Sequence, residues 1–194
     1  ALTRASRQFY EHPPQGFTDY PLLSPRGVLY IATPEQQDLL RQVYDDFRSQ
    51  SPNVTLIDAG QAVARVPCLR ADQLCGAIEE PDARDIDVHA LHQGFLRGMA
   101  RQGAVLRNNA ELASAAFEAG VWTLTLTRGA ALRARVLVNA AGAWADHAAA
   151  LCGPQPVGLQ PCRRTAFTFA GPDDVDFSHW PAVVGVDESY YFKP

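Results

Sequence analysis

The stretch of chain best suited to contact a ligand through its backbone is LVNAAGAWAD, residues 137–146. A short apolar run, predicted as a strand over Arg135–Asn139, leads into four residues with almost no side chain, 140–143. These residues open a helix predicted over Ala140–Leu151, which Gly153-Pro154 ends. Small residues let a backbone approach a flat or phosphorylated group closely, and a helix amino terminus favours negative charge. The same pattern suits a turn that needs small residues for packing alone, and the local sequence favours neither interpretation.

Other motifs for phosphate, redox or metal chemistry are missing from the sequence. The 14 glycines contain no G-x-G pair, so neither a dinucleotide fingerprint nor a P-loop is present, and a bound dinucleotide would need a phosphate loop outside these residues. The four cysteines form no C-x-x-C pair, and we expect them to be reduced and mostly buried. His89 and His92 are three positions apart on a predicted helix but lack a third ligand, so we expect no metal site.

The elements that must position these residues alternate between helices and short strands. Helices are predicted from a Thr33 cap to about Ser49, from an Asp58 cap to Pro67, and from Asp87 to Gly103. The runs that favour strands are short, and they are Val28–Ala32, Val54–Ile57, Leu74–Ile78, Ala104–Leu106, Trp122–Leu126, Arg164–Phe169, Ala182–Val186 and Tyr190–Phe192. The predicted fold class is mixed α/β, with a doubly wound domain interleaved with an antiparallel-sheet domain.

Composition excludes several classes of protein. The 194 residues suffice for one good-sized core or two small domains, and 17 basic against 21 acidic residues leave a net charge of −4. That balance does not call for a nucleic-acid partner. No apolar run approaches the ~18–20 residues that span a bilayer, and no signal peptide is visible. We expect a cytoplasmic protein, with membrane association left open. Because the chain opens at Ala1 rather than Met, we also expect an internal fragment.

Six long blocks of the sequence resemble, in order and spacing, the D-amino-acid oxidase superfamily of flavoenzymes, and within it the bacterial D-arginine dehydrogenases. The blocks are distributed from Ala1 to Pro194, and they are ALTRASRQFYEHPPQGF, PLLSPR, DIDVHALHQGFLRGMARQGAVL, VLVNAAGAWAD, LQPCRRTAF and WPAVVGVDESYYFKP. The resemblance implies a two-domain fold that binds FAD. It also implies that a glycine-rich phosphate loop precedes Ala1 and that a second substrate-binding arginine follows Pro194.

The resemblance also divides the chain between the two domains. Residues 1–20 and 87–158 would belong to the FAD-binding domain, and residues 21–86 and 159–194 to the substrate domain. Four residues match positions that contact the flavin in the family, and they are Leu112, Ala141, Gly142 and Trp144.

Four further residues match positions of the family's substrate site. Arg164 and Tyr191 match the pair that binds the substrate carboxylate, and Ala182 and Val184 match the wall of the side-chain pocket. A bidentate guanidinium suits a carboxylate, although an arginine in a strand is more often a surface or ion-paired residue. Because Tyr190 and Tyr191 are adjacent in a predicted strand, only one of them faces a given pocket.

The implied reaction is oxidation of the α-carbon of free D-amino acids to imino acids and then keto acids. The D-arginine enzymes carry an acidic residue just after the PLLSPR block, where this chain has Val28, so we expect a neutral or apolar substrate. The electron acceptor, oxygen or a quinone, stays open. Two alternatives also remain: a non-catalytic binding domain that has lost its flavin module, and a relative that oxidises secondary amines such as sarcosine or proline.

Overall fold

The computed structural model describes residues 2–194, apart from the side chains of residues 3 and 4, and Ala1 lies outside the described residues. The chain forms two compact units. The first comprises the chain up to Gly103 together with Gly171–Pro194, and the second comprises Ala104–Ala170. The two units are described separately below.

Ten short strands and six helices make up the regular structure of these residues. The strands, in chain order, are β1 (Leu23–Pro25), β2 (Val28–Ala32), β3 (Thr55–Ile57), β4 (Gly76–Glu80), β5 (Arg84–Ile86), β6 (Leu112–Glu118), β7 (Val121–Leu126), β8 (Ala131–Ala134), β9 (Ala182–Gly185) and β10 (Tyr191–Phe192). The α-helices are α1 (Leu2–Ala5), α2 (Arg7–Glu11), α3 (Gln37–Arg48), α4 (Ala59–Arg65), α5 (Val88–Arg101) and α6 (Ala145–Cys152). Three 3-10 turns accompany them, at Pro34–Gln36, Ala71–Gln73 and Gly142–Trp144.

A five-stranded sheet with the order β10-β9-β2-β4-β3 forms the centre of the first unit. Strand β2 is antiparallel to β4 and parallel to β9. Successive side chains of a strand point to opposite faces. Leu29 and Ile31 therefore lie on one face, where they pack with Ala62 and Val66 of the α4 region. On the other face, Ala32 and its neighbours pack with Leu40 of α3.

Both helices that cover this sheet begin at the predicted caps. The Thr33 N–H donates to Gln36 Oε1 at 3.1 Å, at the start of the 3-10 turn that leads into α3. The Asp58 carboxylate accepts from the Gln61 N–H at 2.7 Å, and the Asp58 N–H donates back to Gln61 Oε1 at 3.0 Å. Each reciprocal pair satisfies amide groups that a helix start leaves unbonded, so the helix entries are defined locally.

An ion-pair group ties a second, two-stranded sheet (β1 and β5) to the carboxyl end of the chain. Asp85 on β5 contacts Arg26 Nε at 2.7 Å and Lys193 Nζ at 2.6 Å. The Arg26 guanidinium also donates to the carbonyls of Ser178 and Trp180, both at 3.1 Å. One carboxylate thus joins three segments that are distant in sequence.

The second unit contains a three-stranded antiparallel sheet with the order β6-β7-β8, and α6 packs on β6. The strand predicted over Trp122–Leu126 is confirmed as β7. The predicted helix after Asn139 is shorter than expected, because the small residues first form the 3-10 turn and the α-helix starts only at Ala145.

Three predicted strands were wrong. Ala104–Leu106, Arg135–Asn139 and Arg164–Phe169 have no strand assignment. Val136 and Val138 are 74% and 78% exposed. β-Propensity reflects packing and pairing rather than an intrinsic backbone preference, and in the described part of the chain no strand pairs with these runs.

The cysteine prediction was partly wrong as well, because the free thiols of Cys68 and Cys162 are exposed. The predicted fold class, by contrast, is confirmed: the described chain is mixed α/β with several sheets. No described helix has the length and apolar character needed to cross a bilayer.

Candidate functional site

The residues predicted to bind substrate and flavin are divided between the two units. Val28, Ala182, Val184 and Tyr191 lie in the first unit. The second unit holds the remaining five, which are Leu112, Ala141, Gly142, Trp144 and Arg164. Two local sites therefore have to be considered, one in each unit.

The four residues of the first unit share one face of its five-stranded sheet. Val28 is the direct register partner of Ala182, and Val184 is the direct partner of Tyr191. Because register partners project to the same side, and positions two apart on a strand do so as well, all four side chains point to the face that carries α3. The structure thus gathers four residues from three strands into one surface, defined here as the candidate substrate face.

The candidate substrate face is apolar and only partly covered. Val28, Ala182 and Val184 are half-buried, whereas Tyr191 is 55% exposed. The next residue, Phe192, points to the opposite face and packs into the α4-side core. Tyr190 lies just before the strand, and its carbonyl accepts a hydrogen bond from the Gly185 N–H at 3.0 Å. Of the two tyrosines, Tyr191 is the one whose strand register places it on the candidate face.

Two residues that sequence reasoning missed also lie on this face. Glu80 on β4 is the register partner of Val28, and Tyr30 on β2 is the partner of Val184. The pKa of Tyr30 is raised, chiefly by burial and secondly by the negative charges of Glu80 and Glu188. The sequence signal that could have found Glu80 is the pair Glu79-Glu80 at a strand end, where one of two adjacent side chains must face each side.

Glu79 marks the contrast between the two faces of β4. Its carboxylate points away from the candidate face and contacts Arg65 Nε of α4 at 2.8 Å. Glu80 instead lines a cleft of about 230 Å³ together with Tyr30, Phe47, Gln50 and Ser51. The two adjacent glutamates of β4 therefore face opposite sides of the sheet and have different neighbours.

In the second unit, the turn at residues 140–144 is exposed and fixed by one side chain. Asn139 Nδ2 donates to the Ala145 carbonyl at 2.8 Å, and Asn139 Oδ1 accepts from the Ala141 N–H at 3.2 Å. Gly142 adopts φ +57°, a left-handed conformation that glycine tolerates best. Among the described residues beyond its chain neighbours, no atom lies within 4 Å of where a Cβ on Gly142 would stand.

An aspartate next to this turn anchors the segment that leads to Arg164. Asp146 Oδ1 accepts from the Val157 N–H at 3.0 Å, and Asp146 Oδ2 accepts from the N–H groups of Gly158 and Leu159 at 2.8 and 2.7 Å. The chain therefore returns from the end of α6 to the start of the same helix. Arg164 follows in an exposed stretch without regular secondary structure.

Leu112 is the first residue of β6, opposite Leu126, and the register of the pair shifts between Leu112 and Ser114. Trp144, the last residue of the 3-10 turn, is 72% exposed. A ligand contact stays a prediction for the five candidate residues of this unit, which are Leu112, Ala141, Gly142, Trp144 and Arg164.

The second unit fits a flat cofactor at the turn in two respects. The residues there are small, and Gly142 leaves open space beside a backbone that Asn139 holds in place. A planar or phosphorylated group could approach such a backbone closely. Among the described residues, no group of three His, Cys, Asp or Glu side chains gathers as metal ligands would.

The chain was compared with models of protein families and with solved structures. The family model described as FAD dependent oxidoreductase (DAO) matches residues 1–194, the whole chain. Among solved structures, the chain is similar to iminodiacetate oxidase from Chelativorans sp. BNC1, with 26% identity, a TM-score of 0.63, and coverage of 87% of this chain and 45% of that one.

Glycine oxidase from Geobacillus kaustophilus matches with 25% identity and a TM-score of 0.62, over 78% of this chain and 40% of that one. L-proline dehydrogenase from P. horikoshii shares the fold at 19% identity and a TM-score of 0.61, over 78% and 40% of the two chains. The present chain thus spans less than half the length of each of these structures.

Proposed function

This chain belongs to the DAO family of FAD-dependent oxidoreductases, and from that premise we propose that the protein oxidises the α-carbon of free D-amino acids with neutral or apolar side chains. The observation that carries the substrate part of the proposal is the candidate substrate face, where Val28, Ala182, Val184 and Tyr191 lie side by side. An apolar wall next to a phenol hydroxyl suits a ligand that combines a short apolar side chain with a carboxylate.

The roles of the residues are those that the family resemblance implies, and the chemistry of their side chains suits them. Tyr191 donates a hydrogen bond from its hydroxyl group to the substrate carboxylate. The guanidinium of Arg164 is suited to bind a carboxylate through a bidentate hydrogen bond. Val28, Ala182 and Val184 exclude water from the side chain of the substrate. Orientation of the α-carbon is the principal contribution of the protein to the rate.

The cofactor roles are assigned to the second unit. Ala141 and Gly142 would contact FAD through their backbone, Trp144 would cover it, and Leu112 would contact it from the first position of β6. When bound, FAD supplies the acceptor for the hydrogen and the two electrons that leave the α-carbon. The resulting imino acid adds water and releases ammonia to become a keto acid.

The family resemblance also assigns each segment of the chain to cofactor binding or to substrate binding. Residues 1–20 and 87–158 contribute to cofactor binding, and residues 21–86 and 159–194 contribute to substrate binding. The resemblance to D-arginine dehydrogenases supports D-stereochemistry. The apolar Val28, in the position that we align with their acidic residue, supports the preference for uncharged side chains.

The test is the absorbance spectrum of protein produced from the complete gene, recorded before and after anaerobic addition of single D-amino acids. We expect flavin bands that bleach with neutral or apolar D-amino acids and more slowly with D-arginine. A colourless protein would contradict the cofactor assignment. A yellow protein with D-arginine as its best substrate by a wide margin would contradict the role of Val28.

A second candidate is oxidation of a secondary amine. It is favoured by the similarity to the iminodiacetate oxidase at 26% identity, because iminodiacetate is a secondary amine that carries carboxylates. The same anaerobic titration separates the two candidates when sarcosine, proline and iminodiacetate are added in parallel with the D-amino acids. Bleaching by these secondary amines alone would select the second candidate.

A further inference from the structure

The carboxylate of Asp85 connects two of the three strands that form the candidate substrate face, and it does so through two different cations. Its Oδ2 contacts Arg26 Nε at 2.7 Å, and its Oδ1 contacts Lys193 Nζ at 2.6 Å. Arg26 is two residues before Val28, the first residue of β2. Lys193 is two residues after Tyr191, the first residue of β10. Because a strand advances by ~3.3 Å per residue, the α-carbon of each basic residue is within ~7 Å of that of a candidate residue.

Arg26 extends this connection to the third strand of the face, β9. Its guanidinium donates to the carbonyls of Ser178 and Trp180, both at 3.1 Å, just before β9 begins. The Ala182 N–H, at the start of β9, donates to the Gly27 carbonyl at 3.1 Å. The side chain of Arg26 is largely buried, and hydrogen bonds from a charged donor are stronger in such surroundings than in water. The start of β9 is therefore fixed relative to the start of β2.

Strand β10 depends on a side-chain contact more than the other two strands do. It has two residues, lies at the edge of the five-stranded sheet and, within the described chain, pairs with β9 alone. Segments with few backbone hydrogen bonds and few buried contacts open most readily. Phe192 packs into the core, whereas the Tyr191 ring is more than half exposed, so packing holds the tyrosine weakly. The contact between Lys193 and Asp85 is thus a second anchor for this strand.

We propose that Asp85 is a positioning residue of the substrate site, which fixes Tyr191 through Lys193 and the start of β9 through Arg26. The proposal rests on the proposed function, because it explains how the Tyr191 hydroxyl is held beside the apolar wall. In this role Asp85 acts through other residues and makes no contact with the substrate. Its loss should therefore weaken substrate binding, because a displaced hydroxyl no longer reaches the carboxylate.

The first experiment measures KM and kcat of the complete, flavin-loaded protein with D-alanine and D-leucine. We expect Lys193→Met to raise KM by up to about tenfold, the effect of one lost hydrogen bond to a charged group, with kcat changed by less than about twofold. Lys193→Arg keeps the charge and should retain a KM close to that of the unmodified protein. Asp85→Asn releases both cations and should raise KM at least as much as Lys193→Met.

A double-mutant cycle separates positioning from general destabilisation. If Lys193 acts through the hydroxyl of Tyr191, Lys193→Met should have no further effect on KM once Tyr191→Phe has removed that hydroxyl. Effects of the two substitutions that multiply in the double variant would overturn the proposal.

The matched control is the ion pair of Glu79 and Arg65, which lies on the other face of the same sheet. The exposed fractions of its side chains, 23% and 46%, nearly equal those of Asp85 and Lys193, 24% and 46%. Glu79→Gln and Lys193→Met each break one such pair, so thermal unfolding should show comparable losses of stability. Only Lys193→Met should raise KM, and an equal rise in Glu79→Gln would overturn the proposal.

The second experiment requires no turnover and follows two backbone amides by hydrogen exchange. The Gly185 N–H donates to the Tyr190 carbonyl at 3.0 Å and reports on the contact between β9 and β10. The Ala182 N–H donates to the Gly27 carbonyl and reports on the contact between β9 and the start of β2. Each amide therefore reports on one of the two connections made by Asp85.

In Asp85→Asn we expect both amides to exchange with solvent at least about tenfold faster, and in Lys193→Met only that of Gly185. Unchanged exchange of both amides in Asp85→Asn would overturn the proposal. Absence of turnover by the unmodified protein with every D-amino acid would overturn the proposed function instead. The exchange of the two amides would then decide alone whether Asp85 holds the strands.

Discussion

Val184 and Tyr191 lie directly opposite each other on the antiparallel strands β9 and β10, so the wall residue and the phenol project from the same face of the sheet. The pairing gives Tyr191 a defined direction even though the ring itself is 55% exposed. Tyr190 immediately precedes the strand and carries the same phenol group, which makes it the natural control for the role of the hydroxyl.

Replacing Tyr191 with phenylalanine should raise KM for D-amino acids and lower kcat/KM by about tenfold, the equivalent of one lost hydrogen bond to a charged group. Stability should change little, because the exposed ring keeps its packing. Steady-state kinetics of the complete, flavin-loaded protein measures this, with Tyr190→Phe as the matched variant. A larger loss in Tyr190→Phe would show that the wrong tyrosine has been assigned.

Replacing Gly142 with alanine should weaken flavin retention. Its φ of +57° makes an L-residue unfavourable by about 1 kcal/mol, and the new methyl would project into the open space beside the turn. Gly120, in the β6–β7 turn, has φ +79° and equally open surroundings, so Gly120→Ala should be destabilised by a similar amount.

Thermal unfolding and the ratio of flavin to protein absorbance distinguish these two effects. We expect both alanine variants to unfold at lower temperature than the unmodified protein, but only Gly142→Ala to lose flavin. Equal flavin content in the two variants would contradict the assignment of this turn to the cofactor site.

Local signals in the sequence were sufficient to predict the helix entries and several strands. Thr33 and Asp58 cap their helices because the reciprocal Gln36 and Gln61 stand three residues away, a relationship contained within four residues. Strand β2 was likewise predicted from its own β-branched and aromatic residues.

Relationships between distant segments could not be predicted in this way. Glu80 was missed because its proximity to Val28 arises from strand pairing, which the sequence near Val28 does not contain. The strand predicted around Val136 and Val138 was wrong because it also depends on strand pairing. These residues favour extended backbone, but a strand forms only where a neighbouring strand provides hydrogen-bond partners. The sequence was thus sufficient to nominate candidate residues. The residues that lie beside them on neighbouring strands could be known only from the order and register of the strands.

Replacing Asp146 with alanine should loosen the segment that precedes Arg164. The carboxylate accepts three backbone N–H groups, from Val157, Gly158 and Leu159, at 2.7–3.0 Å. Without it, we expect the amides of these three residues to exchange with solvent at least about tenfold faster, since each loses its bonded partner. Hydrogen exchange measured by mass spectrometry or NMR reports this directly.

The control for that experiment is Glu118→Ala, which removes an exposed carboxylate from the same unit and should leave the exchange of residues 157–159 unchanged. If Arg164 binds the substrate carboxylate as proposed, Asp146→Ala should also raise KM more than it lowers kcat. Unaltered exchange in Asp146→Ala would show that the anchoring bonds do not hold the segment in solution.

The ion-pair group at Asp85 should make stability depend on acid pH. Burial alone would raise the pKa of Asp85, but hydrogen bonds and charge from Lys193 and Arg26 outweigh it, so the pKa lies below its ordinary value of 3.8. A carboxyl whose pKa is lower in the folded state stabilises the fold above its unfolded pKa, and this contribution is lost as the pH falls through the folded pKa.

Asp85→Asn should therefore lower the free energy of unfolding by about 1–3 kcal/mol at neutral pH. Urea titrations should show that difference shrinking steadily below about pH 4. A pH-independent difference would mean that Asp85 acts through packing rather than through its charge.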